Sequence, residues 1–305
     1  ENKSKQPITC LLTYVCQNQS YLIVTGWDKM IRIYRYDFYQ KYSDNISVNF
    51  SEKTAEKLKD PIVEIQGHDD WIQCMTLWND QIVTGSMDKS IKIWRFDPDP
   101  KNPSLNTIFT LKGHMGSVYC LFADTPYLSK NSEEAKSLLW SGSGDGNVRV
   151  WTSDFSLFKE LGKHSGGISC LCKWKDWVVS GALSGIIKVF DQEGTVVTQF
   201  KTTNKIEALC VWRDVLCVGV NNVIELYNEK QMVGCFSVHT NNVQSLWTWK
   251  NYLCSAAWDN KIVLSTANVN WNVARVIWLG WSKNSRQDCP FALLSADDIR
   301  TILHH

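Results

Sequence analysis

The chain has 305 residues, 44% hydrophobic and 12% aromatic, with 32 Lys and Arg against 31 Asp and Glu. The resulting net charge of +1 offers neither the basic face that holds nucleic acid nor the charge excess that holds a membrane surface. No apolar run approaches the ~20 residues of a membrane span, and the eleven cysteines form no CxxC pair, which argues against a zinc site and a secreted disulfide framework.

In chain order, one pattern recurs. It reads Val24-Thr25-Gly26-Trp27-Asp28 with Ile31-Arg32-Ile33-Tyr34, then Gly85-Ser86-Met87-Asp88 with Ile91-Lys92-Ile93-Trp94. Gly142-Ser143-Gly144-Asp145 follows with Val148-Arg149-Val150-Trp151, and Gly181-Ala182-Leu183-Ser184 with Ile187-Lys188-Val189-Phe190. Weaker copies are Gly219-Val220-Asn221-Asn222 with Ile224-Glu225-Leu226-Tyr227, and Ala257-Trp258-Asp259 with Ile262-Val263-Leu264. A seventh, damaged copy is Leu294-Ser295-Ala296-Asp297-Asp298-Ile299. From Asp145 through Ser184, Asn221 and Asp259 to Asp297 the steps are 39, 37, 38 and 38 residues. The longer steps of 60 and 57 residues between Asp28, Asp88 and Asp145 hold polar insertions at 37–59, 97–104 and 124–137, which read as surface loops.

Each unit alternates apolar and polar residues with period two, is rich in β-branched and aromatic side chains, and is cut by short turns. A period near 38 residues with several short strands per unit predicts an all-β propeller, because no unit alone buries its own faces and stacking around a ring does. Seven blades are expected over residues 1–305 as one domain. Six blades with a C-terminal appendage is the alternative, since no outer strand is legible for blade six. The opening Glu1-Asn2-Lys3 has no initiator Met, so the chain reads as a piece of a longer protein. His304 and His305 read as native or as a tag remnant.

Gly67-His68 stands upstream of Asp88 and Trp94, and Gly113-His114 upstream of Asp145 and Trp151. In this the chain resembles the WD40-repeat family over nearly its whole length, although no unit keeps an Asp directly after its closing Trp. The resemblance implies hydrogen bonds within a blade between turn His and hairpin Asp: His68 with Asp88, His114 with Asp145, and His239 with Asp259. His164 occupies the same turn, with Ser184 in place of an acid.

Chemistry is sparse. There is no Gly-rich phosphate loop, HExxH, nucleophile elbow or EF-hand loop. The histidines, and likewise the hairpin carboxylates Asp28, Asp88, Asp145 and Asp259, fall one per blade, so neither set converges on a metal or a catalytic centre. Cys10, Cys74, Cys120 and Cys170 each stand two residues after an inner-strand apolar residue and read as buried small side chains. We expect no catalytic residues, metal or cofactor, and a reducing compartment, the cytoplasm first and the nucleus second.

Binding is then expected on a surface. The resemblance implies that three positions per blade face the channel mouth. At these positions Trp27, Trp71, Met87 and Tyr119 gather in blades one to three, Trp258 stands in blade six, and Gln73 and Gln244 supply polar neighbours. The opposite arc is small or carries Lys205 and Glu207. Grouped aromatic and Met side chains predict a protein or peptide partner rather than nucleic acid or membrane, bound by a monomeric, non-enzymatic scaffold. A substrate-recognition module of a ubiquitin ligase is the runner-up. No Arg at these positions supports a phosphorylated partner, and no FRRG motif supports a phosphoinositide. A second series, Trp78, Trp174, Trp212, Trp249 and Trp281, ends strands in regular register and reads as a packing device, with a ring on the other face as its alternative.

Overall fold

Alternation such as Ile91-Lys92-Ile93 puts one side of each segment toward a neighbour and the other toward polar surroundings, and β-branching favours the extended backbone. The computed structural model describes residues 6–36, 60–124, 137–191 and 193–266, and all regular structure among them is strand.

Blade one comprises β1 (Ile8–Cys16), β2 (Gln19–Gly26), β3 (Met30–Tyr36) and β4 (Val63–Gln66). Blade two comprises β5 (Ile72–Trp78), β6 (Gln81–Ser86), β7 (Ile91–Asp97) and β8 (Ser104–Leu111). Blade three runs β9 (Val118–Asp124), β10 (Leu138–Ser143), β11 (Val148–Trp151) and β12 (Leu157–Leu161). Blade four runs β13 (Ile168–Trp174), β14 (Trp177–Ala182), β15 (Ile186–Phe190) and β16 (Val196–Lys201). Blade five runs β17 (Ile206–Trp212), β18 (Val215–Val220), β19 (Val223–Tyr227) and β20 (Met232–Ser237). Blade six holds β21 (Val243–Trp249), β22 (Tyr252–Ala257) and β23 (Ile262–Thr266).

Every sheet is an antiparallel meander, four-stranded in blades one to five and three-stranded in blade six. The innermost strands β1, β5, β9, β13, β17 and β21 are neighbours in succession, which makes the all-β propeller ring. The seventh repeat lies outside the described residues, as do the insertions 37–59 and 125–136.

The core lies between blades. Ile72, Val118, Ile168, Ile206 and Val243, which open five inner strands, are fully sealed, whereas Ile8 of β1 is 38% exposed. Among the described residues β1 has a neighbouring blade on one side only. The cysteines fill the same seams. Cys74 Sγ faces the Val118 carbonyl and Cys120 Sγ the Ile168 carbonyl of the next blade. Burial pushes both thiols well above the usual range, so they stay protonated and inert.

The strand-ending tryptophans tie blades together on the lower side. Trp78 and Trp174 are fully buried and Trp212 nearly so. Trp174 Nε1 donates to the Asp214 carbonyl at 2.8 Å, and Trp212 Nε1 to the Asn251 carbonyl at 3.0 Å, each in the next blade. Two blades fill the position differently: Tyr14 reaches the Asp80 carbonyl through its hydroxyl, and Asp124 pairs with Lys173 at 2.6 Å. Trp281 lies outside the described residues.

Candidate partner-binding site

The upper side carries the turns that lead into each inner strand and the hairpin joining each second and third strand. In blade two the network assigns a proton chain. Trp94 Nε1 donates to Thr84 Oγ1 (2.8 Å), the Thr84 hydroxyl donates to His68 Nε2 (2.7 Å), and His68 Nδ1 donates to Asp88 (2.8 Å). Blade three repeats it through Trp151, Ser141, His114 and Asp145 at 2.9, 2.8 and 3.0 Å. Each carboxylate also accepts the backbone N–H after the His, from Asp69 and Met115 respectively. Burial alone would raise the Asp88 carboxyl, but the bonds from His68 and Ser90 outweigh it and hold it well below the usual range. Burial likewise opposes ionisation of Asp145, and the N–H groups of Asn147 and Met115 with His114 reverse the sign. His114 itself is pushed down by burial, which keeps it neutral.

The other blades keep parts of this. His239 bonds Ser255 at 2.8 Å and Asp259 at 3.1 Å, with Ser265 where the Trp would stand. His164 bonds Ser180 at 2.8 Å, with Ser184 and Phe190 at the positions of the Asp and Trp of blades two and three. In blade one Asp28 has an ion pair with Arg32 at 2.5 Å, and Arg32 also reaches Glu64.

These networks fix the turns, and the turns present the surface. The N–H of the residue before the hairpin acid bonds the carbonyl of the residue before the inner strand: Trp27 to Pro7, Met87 to Trp71, Gly144 to Ser117, Leu183 to Gly167 and Trp258 to Asn242, all within 2.8–3.0 Å. One side chain from each hairpin therefore sits beside one from each turn. Trp27 of blade one stacks on Trp71 of blade two, with ring centroids 4.2 Å apart and planes 6° apart. Trp71 also anchors Met87 through its carbonyl, so the pair joins two blades and three sequence segments.

Exposure grades the remaining residues. Trp71 is 36% exposed and Trp258 61%, while Trp27, Met87, Tyr119, Gln73 and Gln244 are half-buried. The Tyr119 ring lies over Gly144 and Gly167, where a Cβ would come within 3.1 and 3.4 Å of it. Trp258 holds the same hairpin position in blade six. Two residues in the equivalent positions Thr9 and Ser169 turn aside to bond the next blade, Thr9 to the Ile72 carbonyl (2.5 Å) and Ser169 to the Ile206 carbonyl (2.6 Å). Met115, directly after His114, is 76% exposed and extends the apolar arc. Among the described residues it is the only large apolar one at that turn position, against Asp69, Ser165, Thr203 and Thr240; that contrast was the signal available in the sequence. On the opposite arc Lys205 and Glu207 pair with each other.

The family description "WD domain, G-beta repeat" matches residues 59–95 and 105–152, which contain both complete networks. The chain belongs to the WD40-repeat family. A second description, "IP5P C-F beta-propeller", matches residues 132–232 of this WD40 chain. Among curated proteins it is 27% identical over 108 residues to a nuclear distribution protein PAC1 of Candida tropicalis, covering 30% of this chain and 22% of that protein. It is 35% identical over 106 residues to the protein transport protein SEC13 of Coccidioides immitis, covering 32% of this chain and 34% of that protein. The matches thus span no more than about a third of these two relatives. The solved WD40 β-propeller domain of Doa1 aligns with a TM-score of 0.59 at 16% identity, over 80% of this chain and 74% of that one, a likeness of fold. Among the described residues no three His, Cys, Asp or Glu side chains gather as metal ligands, and no helix is long and apolar enough to cross a membrane.

Proposed function

We propose that the chain is a non-catalytic scaffold that holds a peptide or loop of a protein partner on the upper face of blades one to three. One observation carries this reading: the Trp27–Trp71 stack bridges two blades with Trp71 36% exposed. A stacked pair is a rigid apolar platform that loses little side-chain entropy on binding, which is what an interface anchor requires. Met87, Met115 and Tyr119 continue the apolar arc, and Gln73 and Gln244 supply polar registration toward the channel. The relatives named above support a role in protein assemblies.

Partners recovered from cell extract with the chain and with its Trp27→Ala, Trp71→Ala, Trp258→Ala triple variant test the reading, after both are shown to melt alike. Anchor truncations cost about 2 kcal/mol or more each, so a partner of this face is lost from the variant. Retention of every partner would place binding elsewhere. A role as substrate-recognition module of a ubiquitin ligase would use the same face, and ubiquitin-ligase components among the lost partners would favour it.

A further inference from the structure

Blade four lacks the hairpin carboxylate that blades two, three and six share. Its hairpin has the same backbone. Gly185 has φ +77°, against +72° for Lys89, +82° for Gly146 and +60° for Asn260. The Gly185 N–H bonds the Ala182 carbonyl at 2.9 Å, as Lys89, Gly146 and Asn260 bond Ser86, Ser143 and Ala257. His164 is sealed at 3% exposure and keeps its bond to Ser180. Yet where the other blades place a carboxylate, this one has Ser184. His164 Nδ1 and Ser184 Oγ are both buried and both lack a hydrogen-bond partner.

In the other three blades that carboxylate has a constant set of donors: His Nδ1, the backbone N–H after the His, and the backbone N–H two residues after the acid. The matching donors in blade four are His164 Nδ1 and the N–H groups of Ser165 and Ile186, with the Ser184 hydroxyl as a fourth. Serine has two side-chain heavy atoms fewer than aspartate, so a ligand that takes the carboxylate's place is of about that group's size. The charge suits an anion, because Lys188 on β15 lies against the carbonyls of Gly162 and Lys163 at 3.4 and 3.0 Å. Unpaired buried polar groups are costly, and donors shaped for a carboxylate recover that cost with negative charge.

We propose that blade four carries a binding site for a small monovalent anion, of formate or chloride size, held between His164, Ser184 and the backbone N–H groups of Ser165 and Ile186. Occupancy is coupled to protonation of His164. Burial and then Lys188 push that imidazole down to about 4, and no carboxylate opposes them. An anion that accepts from Nδ1 opposes both effects and pulls the His164 titration back up.

The test compares sodium formate and sodium chloride with sodium gluconate, too bulky for the site, at equal ionic strength and pH 5. The thermal midpoint of the full chain is followed together with the His164 ring resonances. The expected result is a higher midpoint in formate or chloride than in gluconate, with the His164 titration raised by at least one pH unit. By linkage that unit is a roughly tenfold tighter hold on the anion by the protonated form. Ser184→Asp, which supplies the carboxylate covalently, abolishes the difference. Ser184→Asn, which fills the volume without charge, does the same should the aspartate variant fold poorly. Equal midpoints and an unmoved His164 titration in all three salts would overturn the site, as would an anion effect that survives both substitutions.

Discussion

Blades two and four share a backbone and differ in what fills its upper turn. In blade two, Trp94, Thr84, His68 and Asp88 form one continuous donor-acceptor chain. In blade four, Phe190 and Ser184 remove both ends and leave only His164 with Ser180. Blade five goes further: Thr202 stands where the His would be and bonds the Gly185 and Asn204 carbonyls, and Tyr227 stands where the Trp would be. The turn still forms. Register and interblade packing thus set the propeller backbone, and the network adds local stability to blades that keep it. The surface stack stands at the blade-one–blade-two seam, against the best-built turn in the molecule.

The comparison breaks most visibly at its centre. His68→Ala takes from Asp88 its imidazole donor and from the Thr84 hydroxyl its acceptor, and empties a sealed site. We expect a loss of about 3–5 kcal/mol. His164→Ala removes one hydrogen bond and an orphaned nitrogen, for a loss of about 1–2 kcal/mol. Chemical denaturation of the two variants measures the difference, and equal losses would show that the network adds nothing beyond ring packing.

Acid sharpens the contrast. The folded His164 titrates near 4 and the unfolded one near 6.5. The unfolded chain therefore takes up the proton first, so this group's contribution to stability is complete above about 6.5 and declines as the pH falls toward 4. The 2.5-unit gap is worth about 3 kcal/mol at most. Ser184→Asp gives His164 an acid partner and cancels much of that decline, so the variant should exceed the parent by about 2 kcal/mol at pH 5 and by less at pH 7. Denaturation in a non-binding buffer such as gluconate at both pH values checks this. A pH-independent gain would mean that the aspartate acts as a turn residue alone. The carboxylates of blades two, three and six titrate in a separate window: Asp88, Asp145 and Asp259 are lowered, so their contribution is lost only below the usual carboxylate range.

Much of this was legible in sequence. The period came from Asp145, Ser184, Asn221 and Asp259, because a hairpin residue with left-handed neighbours tolerates few substitutes. The His and Asp positions came from their fixed distance to the inner strand. Thr84 and Ser141 were not legible as network members, since a hydroxyl in a strand interior looks like any other polar residue until a His and a Trp are placed on either side of it. The Trp27–Trp71 stack was legible only as two members of a group. The 43 residues between them, 37–59 included, carry no information on the angle at which neighbouring blades meet. Tyr14 and Asp124 escaped for the opposite reason: they do the work of Trp174 and Trp212 with different chemistry, so a search for tryptophan passes over them.

Seam packing offers a finer test. Gly85 sits against Cys74 and Val118, and a Cβ there would come within 2.6 Å of Cys74 Sγ and 2.7 Å of Val118. Gly219 holds the same place in blade five, where Ala208 replaces the cysteine and the closest approach is 3.1 Å, to Val243. Gly85→Ala should cost about 2 kcal/mol through overpacking, and Gly219→Ala about 1 kcal/mol or less. The double variant Cys74→Ala, Gly85→Ala should recover part of the loss, because it recreates the blade-five pairing. A double variant no better than Gly85→Ala alone would assign the strain to Val118 rather than to the thiol.

The smallest effect lies on the lower side, where blade two is less well built than its upper turn. Asn79 and Asp80 form a two-residue hairpin with φ of +50° and +58°, a turn in which the second position favours glycine. Its backbone matters across the seam, because the Asp80 carbonyl accepts from Tyr14 of blade one. Asp80→Gly keeps that carbonyl and removes the Cβ from a left-handed conformation, so the turn gains a few tenths of a kcal/mol and up to about 1. Greater flexibility of glycine in the unfolded chain offsets part of the gain. A small rise in the thermal midpoint, with the Trp27–Trp71 stack still reported by near-ultraviolet circular dichroism, is the expected outcome. A fall would mean that the Asp80 side chain contributes more to the blade-one–blade-two seam than its turn geometry costs, and would shift the weight of that seam from the upper network to the lower turn.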